Sequence, residues 1–243
     1  RVTAAAGENA LKVANRLVEE GLALAAEPNF LRRMSRRLAK SAIQKSEILK
    51  SEIPNDPLFP RQWHLDNRGR NGASRGADVK ALEAWAVTKG SRRITVSVID
   101  DGFDLGHPDL SGRGKVVAPY DFGEDDPDPS PGLRDAHGTA CAGVATAVGG
   151  NAQGVTGIAP GCRLMPVRIP LDGLDEAAIS RAFRWAADHG ADVISCSWGP
   201  ADGTGISEPL PLIVRAAIDR AVDRGRKGLG CVICFAAGNG DEP

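Results

Sequence analysis

The stretch that decides the fold is Arg93-Ile-Thr-Val-Ser-Val-Ile-Asp-Asp-Gly102. Its run of β-branched residues is long enough for a strand buried on both faces, and Asp100, Asp101 and Gly102 end it. Similar runs follow at Arg163–Ile169, Asp192–Ser197 and Gly230–Ala237. Helical spacing lies between them, at His137–Val148 and Asp175–His189. This alternation predicts an α/β fold: a mostly parallel sheet with helices on both faces.

The composition is that of an ordinary globular protein. The chain has 243 residues, of which 42% are hydrophobic and 25% charged, and its formal net charge is −1. These values exclude a disordered chain, a collagen and a small disulfide scaffold. No stretch reaches the roughly 18 apolar residues that are needed to cross a bilayer. The near-zero net charge provides no broad positive field that would attract nucleic acid. We therefore expect neither a membrane nor a nucleic-acid partner.

Charge divides the chain into regions. Residues 1–50 hold 10 Lys or Arg against 5 Asp or Glu, whereas the remainder is acidic. We expect the end of one small domain in residues 1–32, a basic linker in 33–53 and an α/β domain in 54–243. The linker is either simply solvated or a proteolytically processed connector, because exposed Arg-Arg pairs are accessible to proteases.

Three polar residues lie where elements of the α/β domain begin or end. Asp100 ends a strand, His137 opens a helix and Asn239 follows the last strand. Singly, they are explained as a strand-capping acid, a helix-start histidine and an asparagine in a left-handed turn. Together, they are three of the four groups that acyl transfer requires: an acid that orients an imidazole, a base and an oxyanion donor.

Four motifs surround these residues: Val96-Ser-Val-Ile-Asp-Asp-Gly-Phe-Asp-Leu-Gly-His-Pro-Asp-Leu110, His137-Gly-Thr-Ala-Cys-Ala-Gly143, Ser195-Cys-Ser-Trp-Gly-Pro200 and Ala236-Ala-Gly-Asn-Gly240. They resemble the subtilisin-like serine proteases (peptidase S8), most closely the kexin/furin-like branch. Asn55–Leu65 looks like the start of that branch's catalytic domain, and residues 8–30 look like the end of an α+β subtilase propeptide.

The resemblance implies catalytic roles for Asp100 as the triad acid, His137 as the general base and Asn239 as the oxyanion donor. The family's serine lies in a Gly-Thr-Ser motif after the asparagine, and no Gly-Thr-Ser occurs in this sequence. The string Gly72-Ala-Ser-Arg-Gly76 matches a nucleophile elbow by pattern. No apolar strand precedes it, however, and it lies upstream of both Asp100 and His137, so we predict a loop.

Three explanations of the missing serine remain open. The chain is the first part of a nicked enzyme whose companion chain carries the serine, a truncated chain, or a non-catalytic relative that binds peptides. We favour the first, because a sheet broken after its fourth predicted strand would expose an apolar edge for a partner segment to cover. The expected function is that of a serine endopeptidase made as a zymogen, with an inactive peptide-binding protein as the alternative. A secreted or periplasmic location would fit the family, but the sequence does not determine the compartment.

The resemblance also implies substrate contacts. The backbone at Ser197, Trp198 and Gly199 would pair with the substrate as an added strand, unless Trp198 is simply a core residue. Acidic residues are expected at Asp202 in the S1 pocket, Asp101 near S2 and Glu208 at S4, where they would attract Arg or Lys of the substrate. Because Arg134, Ala177 and Ser180 depart from the furin-like pattern, we expect cleavage after basic residues without strict dibasic specificity. Arg32-Arg33 and Arg36-Arg37 would then be sites of autocatalytic cleavage.

A structural calcium ion is the expected cofactor. Side-chain ligands match the family at Asp56, Asp109 and Asn151, with carbonyls from Val148, Gln153 and Val155; without the resemblance, this Gly/Asn loop is only a turn. Hard oxygen ligands from distant segments suit Ca²⁺.

Five cysteines cannot all pair within the chain. We expect no redox or zinc role for Cys231 and Cys234, because residues three apart in a strand face opposite sides. We also expect Cys141 to be buried and not to replace the serine.

Overall fold

The structure is a computed structural model that describes residues 53–69, 72–171, 175–199 and 209–239. Its strands are β1 (Thr95–Asp100), β2 (Tyr120–Asp121), β3 (Arg163–Arg168), β4 (Val193–Cys196) and β5 (Val232–Phe235). Its helices are α1 (Ala81–Trp85), α2 (His137–Thr146), α3 (Glu176–Asp188) and α4 (Leu212–Gly228), with a 3₁₀ turn at Phe59–Arg61. The expectations for residues 1–52, Asp202 and Glu208 lie outside the described residues.

The described strands form one five-stranded parallel sheet in the order β2-β3-β1-β4-β5. β1 is central and buried along its whole length, with Asp100 paired to Arg168 of β3 and Ile99 paired to Cys196 of β4. Since parallel strands share their direction, the segments that follow β1, β3, β4 and β5 meet at one edge of the sheet. The prediction of a mostly parallel α/β sheet is confirmed.

Helices cover both faces of the sheet, as predicted. The larger core cluster joins Ile99 and Ile194 of the sheet to Phe183 of α3 and Ala217 of α4. A second cluster joins Val98 on the opposite face of β1 to Ala142 of α2. Alternate residues of β1 therefore pack against different helices, which fixes α2 on one side and the α3–α4 pair on the other.

The predicted strands and helices lie within a few residues of their observed bounds, but some elements were not predicted. β2 has only two residues and leaves no periodic signal. α4 does leave one, since Val214, Ala217, Ala221 and Gly225 are buried at helical spacing. Among the described residues, no helix is long and apolar enough to cross a membrane.

Candidate active site

Asp100 and His137 meet where β1 ends and α2 begins. Nδ1 of His137 lies 2.8 Å from Oδ1 of Asp100. Because a carboxylate only accepts hydrogen bonds, the imidazole in this pair carries its proton on Nδ1 and leaves Nε2 to accept another. The side chain of His137 is 51% exposed, whereas that of Asp100 is fully buried. The pair therefore joins a buried acid to an accessible base.

Burial sets the electrostatics of Asp100. It raises the pKa of the carboxyl, and this effect outweighs the hydrogen bonds from His137 and from the Asp101 amide, which lower it. The environment therefore penalises an unpaired negative charge at this position. Such a carboxylate gains from a positive partner, which is what His137 becomes when it accepts a proton.

Gly138 allows the close approach of α2 to β1. A Cβ on this residue would lie 2.5 Å from the carbonyl oxygen of Gly102 and 2.9 Å from Cβ of Asp100. Any larger residue would push the start of α2, and with it His137, away from the strand. The glycine is thus a requirement of the Asp100–His137 contact.

Cys141 lies one helical turn beyond His137, with its Sγ 3.7 Å from both ring nitrogens. It is half-buried. Burial raises the pKa of this thiol to about 11, so roughly one molecule in 10⁴ carries the thiolate at neutral pH. A thiol in this state is a poor nucleophile.

Ser197, Trp198 and Gly199 follow β4 at the same edge of the sheet. The indole Nε1 of Trp198 donates to the carbonyl of Ile99 at 2.7 Å, and the ring lies edge-on to Phe235 at 6.0 Å. Trp198 packs against the larger core cluster and thus anchors this segment to the core. Gly199 is exposed, so its backbone is accessible to a ligand.

Asn239 follows β5, the neighbour of β4, and is exposed. The preceding Gly238 has a φ of +86°, a conformation that favours glycine. Because β4 and β5 are parallel to β1, Asn239 lies beyond the same end of the sheet as Asp100. Gly72–Gly76 forms exposed turns with no strand before them in the described residues, as predicted.

Asp101 has a role in this structure besides the predicted S2 contact. Its Oδ2 accepts from the amide of His137 at 3.2 Å, and its Oδ1 accepts from the amide of Gly138 at 2.6 Å. Both oxygens therefore cap α2 from another segment. Ser180, one of the positions that depart from the furin-like pattern, is buried in α3.

Three of the residues predicted to bind calcium, Asp56, Asp109 and Asn151, lie close together in the structure. Asp56 accepts from the amides of Gly150 at 2.7 Å and Asn151 at 3.2 Å. Asp109 accepts from Nδ2 of Asn151 at 3.0 Å and from the amide of Val155 at 2.8 Å. Both carboxylates are buried, and in the described part of the chain their hydrogen-bond donors are neutral amides. Buried negative charges with such donors fit a cation.

A protein-family model described as the subtilase family matches residues 91–243, more than half of the chain. The chain belongs to the subtilase family. This subtilase is 46% identical over 202 residues to the calcium-dependent protease of Trichormus variabilis, with 79% of the chain and 30% of that relative covered. It is 35% identical over 196 residues to neuroendocrine convertase 2 of Bos taurus, with 76% and 30% covered. The chain thus spans about 30% of the length of these curated relatives.

Solved structures agree with this assignment. A serine protease of Aeromonas sobria superposes with a TM-score of 0.65 at 26% identity, over 77% of this chain and 33% of that one. A protease of Pseudoalteromonas arctica gives a TM-score of 0.59 at 26% identity, over 76% and 59%. The subtilisin-like fold and the family resemblance drawn from the motifs are confirmed.

Two residues that support the subtilase site were not predicted. Arg168 donates through Nε to the carbonyl of Asp101 at 2.8 Å and through its other nitrogens to Asp121 at 2.6 Å and Asp135 at 3.2 Å. Lys115 is buried and donates to three backbone carbonyls. The only available signal was that Arg168, like Asp100, is a charged residue at the end of a buried strand.

Proposed function

We propose that the protein is a serine endopeptidase in which Asp100 and His137 form a triad with a serine from outside these 243 residues. The observation that carries this proposal is the 2.8 Å contact between the buried Asp100 carboxylate and the accessible His137 ring. Family membership supports it, since the relative from Trichormus variabilis is named a protease.

His137 acts as the base in this mechanism. Its Nε2 removes the proton of the serine hydroxyl as the oxygen attacks the scissile carbonyl, and the same proton later passes to the leaving amine. Asp100 holds the Nδ1–H tautomer and stabilises the imidazolium. Asn239 donates a hydrogen bond to the oxyanion of the tetrahedral intermediate.

The proposed substrate carries Arg or Lys before the cleaved bond. Carboxylates at Asp101, Asp202 and Glu208 would supply charge-assisted contacts. The name of a dibasic-processing endoprotease of Schizosaccharomyces pombe, 35% identical over 212 residues, is consistent with this preference. A paired set of fluorogenic peptides differing only in Arg, Lys or Leu at P1 tests it, and equal kcat/KM for all three would contradict it.

We also propose a structural Ca²⁺ ion. Asp56, Asp109 and Asn151 would hold it by side-chain oxygens, with carbonyls from Val148, Gln153 and Val155. When bound, the ion supplies positive charge that neutralises the two buried carboxylates and ties residues near Asp56 to the domain. The name of the Trichormus variabilis relative supports calcium dependence.

A fluorophosphonate probe applied to the full-length protein tests the function. Labelling that is lost in the His137→Ala variant supports a serine peptidase, and intact-mass analysis of the labelled species shows whether the serine lies on a companion chain or on a continuous polypeptide. Absence of labelling, together with retained affinity for peptides, would instead support an inactive peptide-binding subtilase.

Removal of residues 1–50 tests the proposal that they belong to an inhibitory propeptide. A tethered inhibitor acts at high effective concentration, so its loss should raise activity.

A further inference from the structure

Helix α2 carries His137 but has little of its own to fix its position. Its first turn has no acidic residue, its last turn has no basic residue, and Ala136 provides no side-chain cap. Its buried residues are Gly138, Ala142 and Thr146, which have small side chains. Packing therefore anchors the helix weakly, while the unpaired amides and carbonyls at its ends attract opposite charges.

The amino end of α2 receives a negative charge from Asp101. Both oxygens of this carboxylate accept from the first amides of the helix, at His137 and Gly138. The peptide of Asp101 is itself held by Arg168, whose guanidinium also binds Asp135 just before the helix. The cap is thus fixed to β3 and does not depend on α2.

The carboxyl end of α2 receives a positive charge from Lys115. This residue is 6% exposed. Its Nζ donates to the carbonyl of Thr146, the last residue of α2, to that of Cys162 at 2.9 Å and to that of Pro160 at 3.2 Å. Because Cys162 directly precedes β3, the ammonium ties the end of the helix to the start of that strand.

We propose that Asp101 and Lys115 are positioning residues that hold α2 from both ends and so fix the His137 imidazole against Asp100. The kinetic consequence rests on the proposed peptidase function, whereas the structural consequence does not. A displacement of a catalytic group by about 1 Å can reduce turnover by about 10²-fold. Loss of either end of this clamp, formed by Asp101 and Lys115, should therefore lower kcat far more than it changes KM.

The kinetic experiment compares full-length variants by turnover per fluorophosphonate-labelled site. The substrate carries Ala at P2, so that a substrate contact of Asp101 does not contribute. We expect Asp101→Ala to lower kcat by about 10- to 100-fold and Lys115→Met by about 3- to 10-fold, with KM changed less than about twofold. Asp101→Asn keeps one acceptor oxygen and should give an intermediate value, and it replaces Asp101→Ala if that variant does not fold.

Matched controls separate positioning from a loss of stability. Asp175→Ala removes the side-chain cap of α3, which accepts from the amide of Ala177 at 3.0 Å, and Lys80→Met removes an exposed lysine. Both should keep kcat per labelled site within about twofold of the wild type. If Asp101→Ala and Lys115→Met also stay within that range, the proposal is overturned.

A second measurement does not need peptidase activity. The proton on Nδ1 of His137 should give a low-field ¹H NMR signal because it is hydrogen-bonded to Asp100. We expect the signal in the wild type and both controls, and its loss or broadening in Asp101→Ala and Lys115→Met. An inactive wild type with this pattern would reject the peptidase and keep the clamp, and an unchanged signal in all variants would reject the clamp.

Discussion

Replacement of Gly138 by alanine tests how closely catalysis depends on the approach of α2 to β1. The added Cβ would lie 2.5 Å from the Gly102 carbonyl oxygen, and ordinary contact begins at 3.4 Å, so the helix start must move by about 0.9 Å. Such a shift separates His137 from Asp100 and should reduce kcat by about 10²-fold. Overpacking should also lower the free energy of unfolding by about 1–3 kcal/mol.

The control is Gly143→Ala in the same helix. A Cβ at Gly143 would meet nothing within 4 Å, so this variant should keep its activity and gain up to about 1 kcal/mol of stability. The assay is kcat per fluorophosphonate-labelled site, together with urea unfolding of both variants. If Gly138→Ala retains turnover within about twofold of Gly143→Ala, the reasoning from close approach is wrong.

Three further predictions follow from the described contacts. Burial lowers the pKa of Lys115 to about 8. Between pH 8 and about 10.5 the unfolded chain therefore binds more protons than the folded one, so the free energy of unfolding of the wild type, relative to that of Lys115→Met, should rise by up to about 3 kcal/mol across that window. Chemical denaturation at several pH values measures this difference. Removal of calcium by EGTA should lower the Tm of the wild type by several degrees, on the order of 5 °C, but not that of Asp109→Ala, and equal sensitivity of both proteins would argue against the site. Asp100→Asn should lower kcat by about 10⁴-fold with little change in KM; a loss below tenfold in steady-state kinetics would remove Asp100 from the mechanism.

The elements that were predicted from sequence are those whose pattern is local. The β-branched run of β1 is buried on both faces, and a strand in that setting has to be a continuous apolar run. α3 alternates its apolar and charged residues at helical spacing, and Asp175 marks its start by capping it. β2 and α1 are too short to produce a period, so tertiary contacts decide their structure.

The supporting charges could not be predicted, because a charged residue does not specify which distant segment satisfies it. Arg168 contacts Asp101, Asp121 and Asp135, which lie 67, 47 and 33 positions away. Lys115 contacts carbonyls 31 to 47 positions away. Neither residue stands in a recognisable spacing with its partners, and only the folded sheet brings them together.

Asp101 caps α2 and is also the acid proposed to contact the P2 side chain of the substrate. The Asp101 carboxylate accepts hydrogen bonds from two helix amides at 2.6 and 3.2 Å, so the positive end of the α2 dipole already offsets part of its negative charge. A basic P2 side chain would share the same oxygens, so its attraction to Asp101 should be weaker than that to an uncapped acid. In Asp101→Ala, the loss of P2 selectivity and the loss of turnover would then have separate causes. A substrate with Ala at P2 distinguishes them, because only the loss of turnover should persist with that substrate.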